Sequence, residues 1–304
     1  MSKIVRVVVV SCVLFACGGK VQPPSADPAP PTPAPPTPAQ LCPGLPAPAP
    51  PCTRDGRPGI SVCAAGNVVC ATTVVSLTFD DALAQQMAAA DALEKHGMRG
   101  TFFLNTWRLR TSTAENMTAA QAADLQKRGH EIGGHTLDHP HLTTLTPDQQ
   151  HVQICNDRAN LLSLGFDVRN FAYPFGDWNS QVRQAVIDCR YDSARDITGL
   201  TAEVPAETFA PKDPFVLRAP GSIQWTDTLD QIEGLVTRAE GQGGWLLLTF
   251  HHLCDGCATN AISPDNFESL LAWLEQRASQ GTGTARVRDV IGGVTQPAVT
   301  WPPP

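Results

Sequence analysis

Strand and helix signals alternate from residue 74 onward, and this predicts an α/β fold. The strands Val74-Val75-Ser76-Leu77-Thr78-Phe79 and Trp245-Leu246-Leu247-Leu248-Thr249-Phe250 are apolar or β-branched almost throughout. Such runs are buried on both faces, the pattern of parallel pairing in a barrel or doubly wound sheet. Acids and histidines follow the strand ends, where chemistry sits in these folds. No Gly-rich phosphate loop follows the first strand. Asp80-Asp81 stands there instead, which disfavours a dinucleotide fold.

In order, a strand over 74–79 leads to a helix over 83–96, stopped by Gly97 in a position that suits a left-handed cap. A strand over 99–104 follows, then a helix over 118–128 and a short strand over 131–134. Thr146-Pro147-Asp148 is a strong helix start, and that helix runs to Leu164 before Gly165. A strand over 168–173, a helix over 178–189 and a strand over 191–195 come next. Residues 196–224 read as irregular and Pro-rich. A helix over 226–240, the strand over 245–250, a helix over 264–278 and a last strand over 284–290 complete the pattern.

The 304 residues suffice for one large domain or two small ones, and 42% hydrophobic residues can build a core. A net charge of −7 argues against nucleic acid or an anionic surface as the main partner. Lys3 and Arg6 precede an apolar run from Val7 to Ala16, shorter than the roughly 20 residues of a spanning helix. Leu14-Phe15-Ala16-Cys17 resembles a bacterial lipobox with Cys17 as the lipidated residue; a plain secretory signal is the alternative. Either reading exports the protein, as an envelope lipoprotein (outer membrane or cell surface) or a secreted chain. Membrane contact is expected only through that anchor. Residues 21–51 hold 14 of the 27 prolines and one charge, Asp27, so they cannot form a core and act as an extended spacer.

Eight cysteines outside the signal, an even number in an exported chain, favour disulfides. Cys42, Cys52, Cys63 and Cys70 cluster in a small stapled region. Cys254-Asp255-Gly256-Cys257 lacks a second pair of the kind a zinc site needs, so a loop-pinning disulfide is expected there. Cys155 and Cys189 are left for each other. The expected organisation is a signal over 1–17, a linker over 18–51, a Cys-rich segment over 52–72, a large α/β domain over 73–294 and a Pro-rich tail over 295–304.

Three strand ends carry polar clusters: Asp80-Asp81; His135-Thr136-Leu137-Asp138-His139, with His130 and His141 nearby; and His251-His252. A lone histidine is more often a satisfied surface or core residue. Three clusters at one kind of topological position shift that balance. Two histidines four residues apart, joined by a carboxylate from elsewhere, form a two-nitrogen, one-oxygen set that fits zinc or a related divalent ion.

Thr78-Phe79-Asp80-Asp81, His135-Thr136-Leu137-Asp138-His139, Phe171-Ala172-Tyr173-Pro174-Phe175-Gly176 and Leu248-Thr249-Phe250-His251 resemble, in order, the motifs of the polysaccharide deacetylases, the NodB-homology domain of carbohydrate esterase family four. The resemblance spans roughly residues 73–291. It implies a distorted, incomplete (β/α) barrel and metal-dependent removal of acetyl groups from a polysaccharide. It implies Asp81, His135 and His139 as metal ligands, for zinc or a similar ion such as cobalt. Asp80 would be the general base, His251 or its neighbour His252 the general acid, and the Phe175 backbone N–H an oxyanion donor. Tyr173, Arg195 and Arg218 fall to substrate binding. Many family members have Arg where this chain has Ala172, and that Arg orients the catalytic Asp. Arg169 or Arg218 would stand in for it, and Arg195 or Asp196 for the family's Asp-Trp pair that tunes the histidine. The implied substrate is an acetylated polysaccharide, N-acetylglucosamine-containing in the first instance: peptidoglycan, chitin-like or poly-N-acetylglucosamine. Acetylxylan, a non-sugar C–N bond, and a non-catalytic carbohydrate-binding role are the alternatives. No oligomeric state is specified.

Overall fold

A computed structural model describes residues 45–302, apart from 65, 66 and 112. The signal segment, Cys17, Cys42 and most of the linker lie outside the described residues. No helix among the described residues is long and apolar enough to cross a membrane.

Seven strands form the barrel sheet in the order β10-β4-β5-β6-β7-β8-β9, and every pairing in it is parallel. They are β4 (Thr73–Phe79), β5 (Thr101–Leu104), β6 (Glu131–Gly134), β7 (Asn170–Ala172), β8 (Ser193–Gly199), β9 (Leu217–Ala219) and β10 (Gly244–Phe250). A bridge from Ser222 to Thr249 brings the segment after β9 against β10, so the sheet curls nearly to closure. All of β4 is buried, as its sequence requires. β9 is a strand within the stretch expected to be irregular: only three residues long, it is too short to show a period. The expected final strand over 284–290 divides instead. A strand β13 (Thr282–Thr284) pairs with β4, and a helix (Val287–Ile291) follows. Asp289 accepts the Arg286 backbone N–H and its guanidinium there, which marks the start of the helix and the end of the strand.

Three helices begin on Thr-x-x-Gln boxes at Thr118, Thr146 and Thr228, in which the threonine and the glutamine each satisfy an orphan backbone donor. Each cap is worth about 1 kcal/mol. A disulfide joins Cys155 to Cys189, tying the helix Pro147–Ser163 to the end of the helix Ser180–Asp188.

The Cys-rich segment is a three-stranded antiparallel sheet, β1 (Pro51–Arg54), β2 (Arg57–Ala64) and β3 (Asn67–Ala71), stapled by Cys52–Cys70. Ile60, Val62 and Ala71 share a core with Val74, Phe103, Trp245 and Val287, so this sheet covers the N-terminal end of the barrel. Past the barrel, Trp301 stacks on His151 with ring centroids 4.3 Å apart and exchanges two 2.8 Å hydrogen bonds with Asn156. The segment around Trp301 is thereby docked on the Pro147–Ser163 helix.

Candidate active site

Asp80-Asp81, His135, Phe175 and His251 each follow the C-terminal end of a barrel strand, β4, β6, β7 and β10 respectively. Parallel pairing alone gathers them on one face. Asp81 Oδ1 lies 3.3 Å from His139 Nε2 and 3.7 Å from His135 Nε2. Ligand atoms of the three residues all fall within 4.8 Å of one another.

The donor chemistry fits a divalent cation. His135 Nδ1 is 2.7 Å from the carbonyl of Ala172. A carbonyl only accepts, so Nδ1 carries the proton and Nε2 turns a lone pair toward Asp81. That Nε2 and Asp81 Oδ1 are buried with no hydrogen-bond partner. Buried polar atoms are rarely left so, and a cation between them satisfies both. Burial holds His135 below the ordinary histidine range. Burial, with His135 beside it, pushes His139 down to about 4. Both rings are therefore neutral at pH 7, the form that ligates.

Buried polar side chains fix the loop that carries the histidines. Asp157 accepts the backbone N–H groups of His135 (3.2 Å) and Thr106 (3.0 Å), and Asn105 donates to the His135 carbonyl. Gly134 precedes His135 because a Cβ there would lie 2.0 Å from the Tyr191 hydroxyl oxygen. Among the described residues, seven non-glycine residues have positive φ, and five of them are Asp81, Ala82, Thr136, His139 and Phe175. Strained backbone is thus concentrated at this site rather than spread over the turns.

Asp80 is 2% exposed, and a carboxylate so placed needs a partner. Arg195 supplies it. Its Nη2 donates to both carboxylate oxygens, 2.7 Å to Oδ1, while Nη1 donates to Thr249 Oγ1 at 3.0 Å. The guanidinium lies 5.3 Å over the Phe103 ring. Burial pushes the Asp80 carboxyl up, but Arg195, with His135 and His251, outweighs it and holds the group below the usual range. His251 Nε2 stands 4.0 Å from Asp80 Oδ2. Gln86 ties the two together by donating to the backbone carbonyls of Asp80 and His251. His252 is engaged elsewhere: Gln85 Nε2 donates to its Nδ1 at 2.6 Å. Of the two histidines, only His251 faces Asp80.

Several sequence assignments are corrected by this geometry. Tyr173 is buried and its hydroxyl donates to the Phe215 carbonyl, so it offers no group to a substrate. Arg195 is also fully buried and holds Asp80, not a substrate. Arg218 is committed to Glu207 by two 2.8 Å bonds, and Arg169 to Asp167 and the Gly293 carbonyl. Neither reaches Asp80. Asp196 accepts from Trp178 Nε1 and Thr198, and His251 Nδ1 is buried without a partner. The arginine missing at Ala172 has its counterpart one strand over, because Ala172 on β7 is the register partner of Arg195 on β8. Sequence reading also missed Asp157, Asn105 and Gln86. The one available signal was a polar residue within an apolar or helical stretch.

Cys254 and Cys257 form a disulfide beside His252, so their sulfurs are not thiolate ligands. The Phe175 backbone N–H makes no hydrogen bond to the protein among the described residues.

Fold and site together define a nearly closed parallel (β/α) barrel with a two-histidine, one-carboxylate cation group beside a buried aspartate. Residues 70–194 match the family model described as polysaccharide deacetylase. The match ends before Arg195 and His251. The peptidoglycan-N-acetylglucosamine deacetylase PgdA of Listeria monocytogenes is 29% identical over 115 residues, 37% of this chain and 23% of that protein. A chitooligosaccharide deacetylase of Azorhizobium caulinodans is 29% identical over 117 residues, 37% of this chain and 52% of that protein. The chain thus matches between 23% and 52% of the length of these two curated relatives. A family 4 carbohydrate esterase from Streptomyces lividans, solved with acetate, shares the fold: TM-score 0.51, 18% identity, 76% of this chain and 98% of that one.

Proposed function

We propose that this protein hydrolyses acetyl groups from an N-acetylglucosamine-containing polysaccharide, at a centre where Asp81, His135 and His139 hold a divalent ion, zinc in the first instance. The observation that carries the reading is Asp80: a fully desolvated carboxylate, fixed by Arg195, beside a ligand set with unsatisfied lone pairs. When bound, the ion makes water acidic enough to act near neutral pH and polarises a carbonyl. Asp80 takes the proton from the attacking water. Arg195 keeps it ionised and aimed, so it is ready as a base at pH 7. The unoccupied Phe175 N–H donates to the acetyl oxygen as negative charge develops on it, an effect worth about 3 kcal/mol. His251, across from the base, gives a proton to the departing nitrogen. The protein acts outside the cytoplasm in this reading, on a Pro-rich spacer behind a lipidated Cys17.

Acetate release tests the proposal, measured on chitin oligomers, peptidoglycan and acetylated xylan with and without a chelator. Release from the N-acetylglucosamine polymers, abolished by the chelator, is expected. No release from any of them overturns it.

A further inference from the structure

Seven large hydrophobic side chains are well exposed among the described residues, and the three aromatic ones are Trp107, Phe175 and Trp225. Single exposed apolar residues are ordinary. These three share a location, because each lies in the segment that follows the C-terminal end of a barrel strand. Trp107 (56% exposed) follows β5, and its backbone N–H donates to the Leu137 carbonyl, inside the loop between His135 and His139. The next residue, Arg108, places its guanidinium 3.9 Å from Asp81 Oδ1 and donates no side-chain hydrogen bond among the described residues. Trp225 (46% exposed) donates its backbone N–H to Thr259, and a Cβ on Gly256 would lie 2.8 Å from its ring. It therefore stands on the loop after β10, which the Cys254–Cys257 disulfide pins. At its C-terminal end, β4, the strand that leads into Asp80-Asp81, is paired on its two sides by β5 and β10.

We propose that Trp107 and Trp225 are sugar-stacking subsites on either side of the acid pair, so that the substrate is a chain of pyranose units threading through the site. A pyranose ring presents a face of C–H groups that packs on an indole while its hydroxyls stay in water. An amphipathic, two-torsion side chain suits that contact at low entropic cost. Arg108 adds a free donor for a hydroxyl or carbonyl beside Trp107. Two platforms held by backbone bonds and a disulfide are preorganised, as a subsite for a flexible polymer needs to be. This inference rests on the deacetylase reading and narrows it: through the two tryptophans the site should hold a chain of sugars more tightly than a single one.

The test is calorimetric binding of an N-acetylglucosamine hexamer and of the monosaccharide, in an Asp80→Asn background that stops turnover. Trp107→Ala and Trp225→Ala are each expected to weaken hexamer binding about tenfold and to leave the monosaccharide unchanged. Trp107→Phe should keep most of the affinity. On the protein with Asp80 intact, acetate release from a small acetyl ester reports the hydrolytic centre, and both alanine variants should raise KM for the hexamer about tenfold. Hexamer binding that ignores both substitutions in folded protein overturns the subsites, as does equal loss for monomer and hexamer, or no hexamer binding at all. If the ester is cleaved normally while the hexamer ignores the tryptophans, the subsites fail alone. If no acetate is released but hexamer binding needs the tryptophans, the subsites stand and the hydrolytic reading fails.

Discussion

The two ends of β6 treat buried polar groups in opposite ways. At its start, Glu131 is fully buried and both carboxylate oxygens are occupied: Thr101 and the Arg288 backbone donate to Oε2 at 2.9 Å, and Asn170 donates to Oε1 at 2.6 Å. Ser193 extends the network by donating to Asn170. Just past its end, His135 Nε2 and Asp81 Oδ1 are equally buried and left open. Four residues of one strand thus separate a closed network from an incomplete one. A satisfied network fixes a fold, and an incomplete one is a site awaiting a ligand. The left-handed residues Asp81, Thr136, His139 and Phe175 also cluster at the second end. The N-terminal end is covered by the β1–β3 sheet, and the C-terminal end is where the exposed tryptophans stand.

If this contrast is real, substitutions at the two ends should separate stability from activity. The largest effect on turnover is expected from His135→Ala, which removes a ligand atom: metal content and acetate release should both disappear while the circular dichroism spectrum stays native. Retention of one equivalent of metal would break the contrast at its open end. Arg195→Ala should move both quantities, because it leaves Asp80 buried and unpaired. A stability loss of about 3–5 kcal/mol is expected, read from urea unfolding, together with reduced turnover. Arg195→Lys keeps the charge without the fork and should recover only part. Glu131→Gln should cost about 1–3 kcal/mol of stability and leave kcat within twofold. The smallest effect is expected from Thr146→Ala, about 1 kcal/mol, with no change in turnover.

What could be read from the sequence follows the range of the interaction. Asp80-Asp81, the His135/His139 spacing and the apolar strands are local patterns, visible within ten residues or fewer, and the structure brings those residues together. The Cys155–Cys189 pair followed from the even cysteine count once the others were placed. Arg195 could not be read in the same way. Its partner lies 115 positions away, and its role depends on the β7–β8 register that sets it opposite Ala172. A guanidinium near the end of a family motif looks like a substrate contact, and only its complete burial against Asp80 shows that it holds that carboxylate instead. Asp157 and Gln86 were hidden for a related reason. Each is a polar residue within an amphipathic helix, and periodicity does not distinguish one that faces solvent from one that clamps a catalytic loop. The short strand β9 and the helix Val287–Ile291 fall below the length at which a period can be counted.

The central claim is that two adjacent carboxylates divide the work, Asp81 binding the metal and Asp80 moving the proton. The most direct measurement compares Asp80→Asn with Asp81→Asn for metal stoichiometry and for acetate release from an N-acetylglucosamine oligomer. The account predicts that Asp80→Asn keeps one equivalent of metal and loses about 10²- to 10⁴-fold in kcat, while Asp81→Asn loses the metal itself. Full turnover in Asp80→Asn, or metal loss from it comparable to that of Asp81→Asn, would contradict the division.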